Sequence, residues 1–269
     1  MSELNVSSDG AVRVLEINRP EAMNALNGRL IRDVRDEVVR AAADPSVRVA
    51  VLTGTGTRAF SAGADLEELD GLDVASAQRI MHEGQQAFCD IASADVPVIA
   101  AVNGLALGGG FELVLASTFA LTSESASFGL PESRLGLIPG YGGTQRLAPL
   151  VGQAAAAQLM LTGERLTAQR AYELGLTVLP PVAPELLMTE TMKVAHVVAG
   201  NGPAAIRSIL HLVRQAHGSS SQAERLAAET DAAVEAIVGA ESTEGIQAFR
   251  ERRTAGFPDL VAAGNEEMR

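Results

Sequence analysis

Short runs rich in valine and isoleucine alternate with helical stretches through roughly the first two hundred residues, and this alternation restricts the chain to an α/β architecture. The strand-like runs are 12–17, 48–53 and 96–103, each bounded by turn residues. Between the first two, "NALNGRLIRDVRDEVVRAAAD" places Leu26, Leu30, Val34 and Val38 at four-residue intervals, the stripe of an amphipathic helix. Between the next two, "DVASAQRIMHEGQQAFCDIAS" predicts a second helix. A glycine run, a further helix, the strand-like "STFALTS", a glycine- and proline-rich loop over 128–143 and a helix over 150–161 follow. From residue 200 onward the strand signal is gone. Pro203 suits a first helical turn, and helices are expected over 221–238 and 243–254. "PP" at 180–181 and "NGP" at 201–203 bracket an expected hinge region. We therefore divide the chain into a core, 1–200, and a C-terminal helical region, 201–269, too thinly apolar for a core of its own and suited to pack on the main body or on another subunit.

With 47% hydrophobic and 20% charged residues, the chain has the composition of a soluble globular protein. No run approaches the eighteen or so apolar residues that span a bilayer, and "MSELNVSSDGAVRV" lacks the basic start and apolar core of an export signal. A cytoplasmic protein without membrane contact is the expectation. The net charge of -12 repels polyanions and excludes nucleic acid as a partner. A phosphate-bearing ligand would need helix N-termini, backbone N–H groups or a few arginines.

Cys89 is the only cysteine, which rules out an intrachain disulfide; in "HEGQQAFCDI" it is expected as a small buried hydrophobe on a helix. His82, His196, His211 and His217 show no metal-ligand spacing, so no metal site is expected. Lysine occurs only at Lys193, with no glycine loop before it, which excludes a Walker-type loop.

Three motifs carry chemistry. In "VAVLTGTGTRAFSAGADLEE" the Gly54-x-Gly56-x-x-Ala59 spacing loosely matches a dinucleotide-binding turn, but a small-residue loop follows where a helix should open. The alternatives are a tight turn or a pocket edge where a ligand approaches the backbone. In "AVNGLALGGGFELVLAS" Gly108, Gly109 and Gly110 stand at the mouth of a helix, where bare N–H groups and the helix dipole suit an oxyanion. Such donors are worth about 3–4 kcal/mol each at a developing oxyanion. Glu112 lies in the first turn of that helix; close packing around a solvated acid is the competing reading. In "SFGLPESRLGLIPGYGGTQRL" five glycines accompany Glu132, either a surface acid paired with Arg134 or a second functional carboxylate. Two carboxylates at an oxyanion site would let one activate water while the other donates a proton.

In order along the chain, "AFSAGADL", "PVIAAVNGLALGGGFEL" and "FGLPESRLGLIPGYGGTQRL" strongly resemble the enoyl-CoA hydratase/isomerase (crotonase) family, and "LEINRPEAMNALN" and "STEGIQAFRERRTAGF" extend the likeness over nearly the whole chain. The resemblance implies a spiral of repeated β–β–α units with a C-terminal helical trimerisation region, assembled as homotrimers or dimers of trimers. It implies an acyl-CoA thioester substrate, with no cofactor because CoA is part of the substrate. By motif position the oxyanion hole is the N–H groups of Ala64 and Gly109. Paired acids at 112 and 132 favour hydration of a trans-2-enoyl-CoA to the 3-hydroxyacyl-CoA, Glu112 mainly activating water and Glu132 protonating C2. Ala62 and Ala64, with Asp65 and Leu66 beside them, would hold the adenine, and Arg19 and Ala22 would lie along the pantetheine and phosphates. "FRERR" at 249–253 is a further cationic source for the phosphates. A substrate pocket is expected at Leu137, Ile138 and Tyr141; if it excludes water, a Δ3,Δ2-enoyl-CoA isomerase is favoured instead. A non-catalytic acyl-CoA-binding paralogue is the alternative from another class.

Overall fold

The computed structural model describes residues 2–216 and 220–258; His217 and the last eleven positions of the C-terminal region lie outside them. The order begins β1 (Leu4–Asp9), β2 (Val12–Ile17), α1 (Gly28–Ala43), β3 (Val49–Gly54), β4 (Ala59–Ser61), α2 (Val74–Ser93), β5 (Val98–Val102) and β6 (Leu105–Leu107). It continues α3 (Gly109–Ala116), β7 (Phe119–Thr122), β8 (Ser127–Gly129), α4 (Gly143–Val151), α5 (Gln153–Thr162), β9 (Leu166–Thr167), α6 (Ala168–Glu173), α7 (Leu187–Ala199), α8 (Pro203–Gln215), α9 (Gln222–Val238) and α10 (Ala240–Glu251).

One sheet has the order β1-β2-β3-β5-β7 and a smaller one β4-β6-β8-β9. The hairpin β1-β2 and the pair β8-β9 are antiparallel; every other pairing is parallel. Each of β3-β4-α2, β5-β6-α3 and β7-β8-α4 contributes its first strand to the large sheet and its second to the small one. The chain thus winds as a spiral of β–β–α units, the α/β fold that the alternating pattern and the resemblance led us to expect. Val49 and Val51 of β3 pack in one apolar cluster, Ala50 and Leu52 in another. A strand covered on both faces reads as a continuous apolar run rather than an alternation, and "VAVL" does.

Asn27 starts α1 by accepting the Leu30 N–H at 2.7 Å, and Leu30, Val34 and Val38 form the expected buried stripe. Leu26, placed on that stripe by spacing, precedes the helix and bridges to Ala64. In α2 the buried face is Gly84, Ala87, Phe88 and Ile91. Cys89, one position past Phe88, is rotated off that face and exposed, contrary to the buried residue expected. The single helix expected over 150–161 is two: Gly152, at φ 82°, breaks α4 from α5. The expected 128–143 loop contains β8 and a 3₁₀ turn over Glu132–Leu135. The segment expected to hinge holds α7, whose Leu187, Ala195 and Ala199 cover the large sheet against Val12, Val49 and Ile99.

The C-terminal helices differ in kind. Helix α9 buries no residue, and Ile209, Val213, Leu226, Val234, Ile237, Ile246 and Phe249 are exposed, Phe249 at 85%. Among the described residues no helix is long and apolar enough to cross a membrane.

Candidate active site

Strands β4 and β6 are parallel neighbours, so the loops leaving their C-terminal ends emerge side by side, 62–65 from one and 108–110 from the other. Leu26 donates to the Gly63 carbonyl at 2.8 Å and accepts from the Asp65 N–H at 2.9 Å. A strand partner held by the residues on either side turns the N–H of the residue between away from it, so the N–H of Ala64 faces the opposite side. Gly109 lies there: a methyl group built on Gly109 would stand 3.4 Å from the Ala64 nitrogen.

The three glycines are needed for three different reasons. Gly108 has φ 50° and ψ -128°, a conformation essentially confined to glycine, and a methyl group on it would meet Glu132 Oε1 at 3.0 Å. On Gly109 it would press on the Tyr141 ring at 3.3 Å, and on Gly110 it would strike the Ser61 carbonyl oxygen at 2.3 Å. Gly109 opens α3, so its N–H belongs to the first turn, which has no partner inside the helix.

Glu112, one turn into α3, is 1% exposed and accepts at one oxygen, Oε1, from the N–H of Tyr141 at 2.8 Å and of Gly143 at 2.7 Å. Burial raises its pKa, while those two N–H donors and the Arg146 guanidinium oppose the rise. A solvated first-turn acid is therefore not what stands here. Glu132 comes from the 3₁₀ turn, not from a surface pair with Arg134, whose Nε instead donates to the Thr162 carbonyl at 3.0 Å. Its Oε2 is buried without a hydrogen-bond partner, and its pKa rises to about 7, first from burial and then from the neighbouring Glu112 charge.

Tyr141 is buried, its ring 5.1 Å from that of Phe88, and burial pushes its hydroxyl up to about 12. Leu137 and Ile138, expected in the pocket with it, are 43% and 77% exposed. They lie just past the left-handed Gly136, which ends the 3₁₀ turn. Below Tyr141, between α1 and α2, is a cleft of ≈ 310 Å³ lined by Gly28, Ile31, Arg32, Glu68, Arg79, Ile80, Glu83 and Gly84 with the tyrosine.

Ala62 is exposed and Ala64 half-buried, with Asp65 half-buried and Leu66 exposed on the next turn. Arg19 is engaged with protein: its guanidinium meets Glu3 and Asp65, each at 3.0 Å, and donates to the Ala25 carbonyl. It therefore ties the 62–65 loop to the Pro20–Ala22 turn that includes Ala22. In "FRERR" Arg253 is paired with Glu244 and Glu251. Sequence reasoning missed Asn24, which is buried at φ 58° and donates to the carbonyls of Ala59 (2.8 Å) and Thr55 (3.1 Å) while accepting the Arg19 N–H. It locks the turn before the site onto the strand that leads into it. Asparagine tolerates positive φ better than most residues, and that tolerance was the available signal. Gly143 was missed too; its N–H orients Glu112, and a methyl group there would meet the Glu112 side chain at 3.0 Å. Among the described residues no group of three or more His, Cys, Asp or Glu side chains converges as a metal site.

The enoyl-CoA hydratase/isomerase family model matches residues 7–260. A crotonyl-CoA hydratase of Syntrophomonas wolfei is 40% identical over 91% of this chain and 93% of its own length. A short-chain-enoyl-CoA hydratase of Clostridium acetobutylicum is 36% identical over 93% of this chain and 97% of its own. The crystal structure of an enoyl-CoA hydratase from Bacillus anthracis superposes with a TM-score of 0.91 at 35% identity, covering 95% of this chain and 99% of that one. With the motifs, the spiral and these likenesses in agreement, the chain is an enzyme that belongs to the enoyl-CoA hydratase/isomerase family.

Proposed function

We propose that this protein is an enoyl-CoA hydratase, a hydro-lyase that adds water across the C2=C3 bond of a trans-2-enoyl-CoA to give the 3-hydroxyacyl-CoA. The observation that carries the reading is the pair of glutamates, buried Glu112 and half-buried Glu132, at the glycine corner beside the Ala64 N–H. In this reading the thioester oxygen sits between the N–H groups of Ala64 and Gly109, which stabilise the negative charge that develops as water attacks C3. Glu112, with one oxygen fixed by two N–H donors, offers the other to the attacking water. Glu132, poised to hold a proton near neutral pH, delivers it to C2. The two charges interact, so the pair titrates as a unit.

Adenine would rest on the carbonyls of Ala62 and Ala64, with Asp65, Leu66, Arg19 and Ala22 alongside. The relatives named for crotonyl-CoA and short-chain substrates favour a short acyl group. An isomerase would need Leu137, Ile138 and Tyr141 to exclude water, and the names of the relatives favour hydration instead. Residues 1–200 would bear the acyl-CoA site, and 201–269 would assemble homotrimers or dimers of trimers in the cytoplasm. Support for assembly comes from α9, seventeen residues without one buried side chain. No step of this reaction requires a separate cofactor. The test is loss of the conjugated thioester absorbance of crotonyl-CoA, with Glu112→Gln run alongside. Turnover that the variant abolishes supports hydration; wild-type enzyme that binds crotonyl-CoA without turnover overturns it.

A further inference from the structure

Resting on the reading above in which Glu112 acts on the attacking water, we infer that Arg146 is its positioning residue, fixing the carboxylate through the peptide groups of the 140–143 loop. Three successive peptide groups there turn their N–H ends toward one glutamate. Those of Tyr141 and Gly143 donate to Oε1 at 2.8 and 2.7 Å, and the N–H of Gly142 between them also favours the ionised form. A trans peptide carries its C=O on the side opposite its N–H, so the other end of each group points away from Glu112. Each of those ends is held. Gln85 of α2 donates to the Gly140 carbonyl at 2.9 Å, and Arg146 to the Tyr141 carbonyl at 2.7 Å. The N–H groups of Gln145 and Arg146 donate to the Gly142 carbonyl, each at 3.0 Å.

Of these donors the Arg146 guanidinium alone carries a full charge. Hydrogen bonds in line polarise one another in a poorly solvated site, so a guanidinium on the Tyr141 oxygen makes the Gly142 N–H a better partner for a carboxylate. Burial raises the Glu112 pKa, and the charge of Arg146 joins the N–H donors in opposing that rise. Gly142, at φ 108°, has a conformation that favours glycine, and a methyl group built there would overlap the guanidinium. A cation one turn into α4 sits near the positive end of the helix dipole, so its benefit lies in the loop and not in the helix. Among the described residues no carboxylate is paired with Arg146, whose guanidinium also reaches Cys89 Sγ of α2 at 3.6 Å. The other titratable groups that act on Glu112 are Glu132 of the 3₁₀ turn and the Tyr141 hydroxyl. Strands β4, β6 and β7 carry none, and on α2 Glu83 and Asp90 pair with Arg32 and Arg35 of α1.

The experiment is carbon NMR titration of the Glu112 carboxyl in ligand-free enzyme, its resonance assigned by loss in Glu112→Gln. In Arg146→Gln that carboxyl should titrate at a higher pH than in wild type. Arg146→Lys, which keeps the charge, should stay near wild type. An arginine that served packing alone would not sort the two variants by charge. Turnover should follow: kcat for crotonyl-CoA hydration is expected to fall about tenfold in Arg146→Gln at pH 6, part of what a general base contributes. The loss should be smaller at pH 8, where the carboxylate is regained, and KM should change little. Should Arg146→Gln fail to fold, Arg146→Met is read in the same way. A titration unmoved in the folded variant, or moved as far by Arg146→Lys, overturns the inference. The titration needs no turnover, so a wild type that does not hydrate crotonyl-CoA sinks the hydratase reading and leaves the resonance to decide the role of Arg146.

Discussion

Glu112 and Glu132 face one glycine corner from two kinds of support, and the contrast shows how a fold can give identical side chains different work. Glu112 rides on the first turn of α3, with two backbone N–H groups on one of its oxygens. Those donors favour the ionised form and offset part of the cost of burial. Glu132 rides on a single 3₁₀ turn and has a buried oxygen with no partner. Its own backbone N–H opposes the desolvation, the neighbouring Glu112 charge adds to it, and its carboxyl is carried up to about 7. In the proposed reaction, local backbone, more than residue type, would set which acid accepts a proton and which gives one.

The strongest way to break this contrast is to replace each carboxyl in turn. Glu112→Gln and Glu132→Gln are each expected to lower kcat for crotonyl-CoA hydration by roughly a hundredfold or more, the scale of general acid–base groups, with butyryl-CoA binding much less affected. The double variant should cost little beyond the worse single one, because the two groups act together. Near-normal turnover in either single variant shows that the residue has been given the wrong role.

A finer cut leaves both acids in place and disturbs only one support. In Gly143→Ala the added methyl would stand 3.0 Å from Glu112 Cγ and Oε1 and 3.2 Å from Pro139 Cβ, so the glutamate must shift by a few tenths of an ångström. A kcat loss of about tenfold is expected, since small misplacements of a positioned group are costly. Unchanged kcat would mean that the N–H cradle does not control Glu112.

What the sequence made legible divides along the same line as this contrast. The glycine run, the first-turn position of Glu112 and the valine-rich β3 are local properties, and spacing reveals them. The cradle is not local: Tyr141 and Gly143 lie 29 and 31 positions from the glutamate they hold, and only the spiral brings them together. Strands β4, β6 and β8, three residues each, are too short to show a period. Their pairing depends on neighbours one turn of the spiral away. Helix α7 went unread because the "PP" before it and the "NGP" after it suggested an opening, while its small residues, Ala195 and Ala199, are what let it lie close on the sheet.

Stability offers a smaller effect of opposite sign. Glu132 has a folded-state pKa of about 7 against an ordinary 4.5, so between those values the folded protein binds more protons than the unfolded chain. Folding is therefore favoured most below about pH 4.5, and that advantage is lost as pH rises through 7. Glu132→Gln has no charge to bury. It should raise the stability at pH 8 by of the order of 1 kcal/mol, after discounting for the part of the carboxyl that water reaches, and the gain should shrink at pH 5. Urea unfolding at the two pH values measures this. A variant less stable at pH 8 would show that the glutamate is structurally required.

The smallest effect separates the two causes of that raised value. Wild-type kcat/KM should fall as pH rises through about 7, when Glu132 loses its proton. Glu112→Gln removes the neighbouring negative charge, so Glu132 should ionise more easily and its pKa should move down. It should nevertheless stay above 4.5, because burial is the larger cause and the substitution leaves burial in place. The variant turns over too slowly for a pH–rate profile, but the carboxyl carbon resonance that titrates near 7 in wild type reports the shift directly. A fall all the way to 4.5 would make charge repulsion, not the unpartnered burial of the 3₁₀ turn, the reason Glu132 holds its proton, and the contrast with Glu112 would reduce to one acid acting on the other.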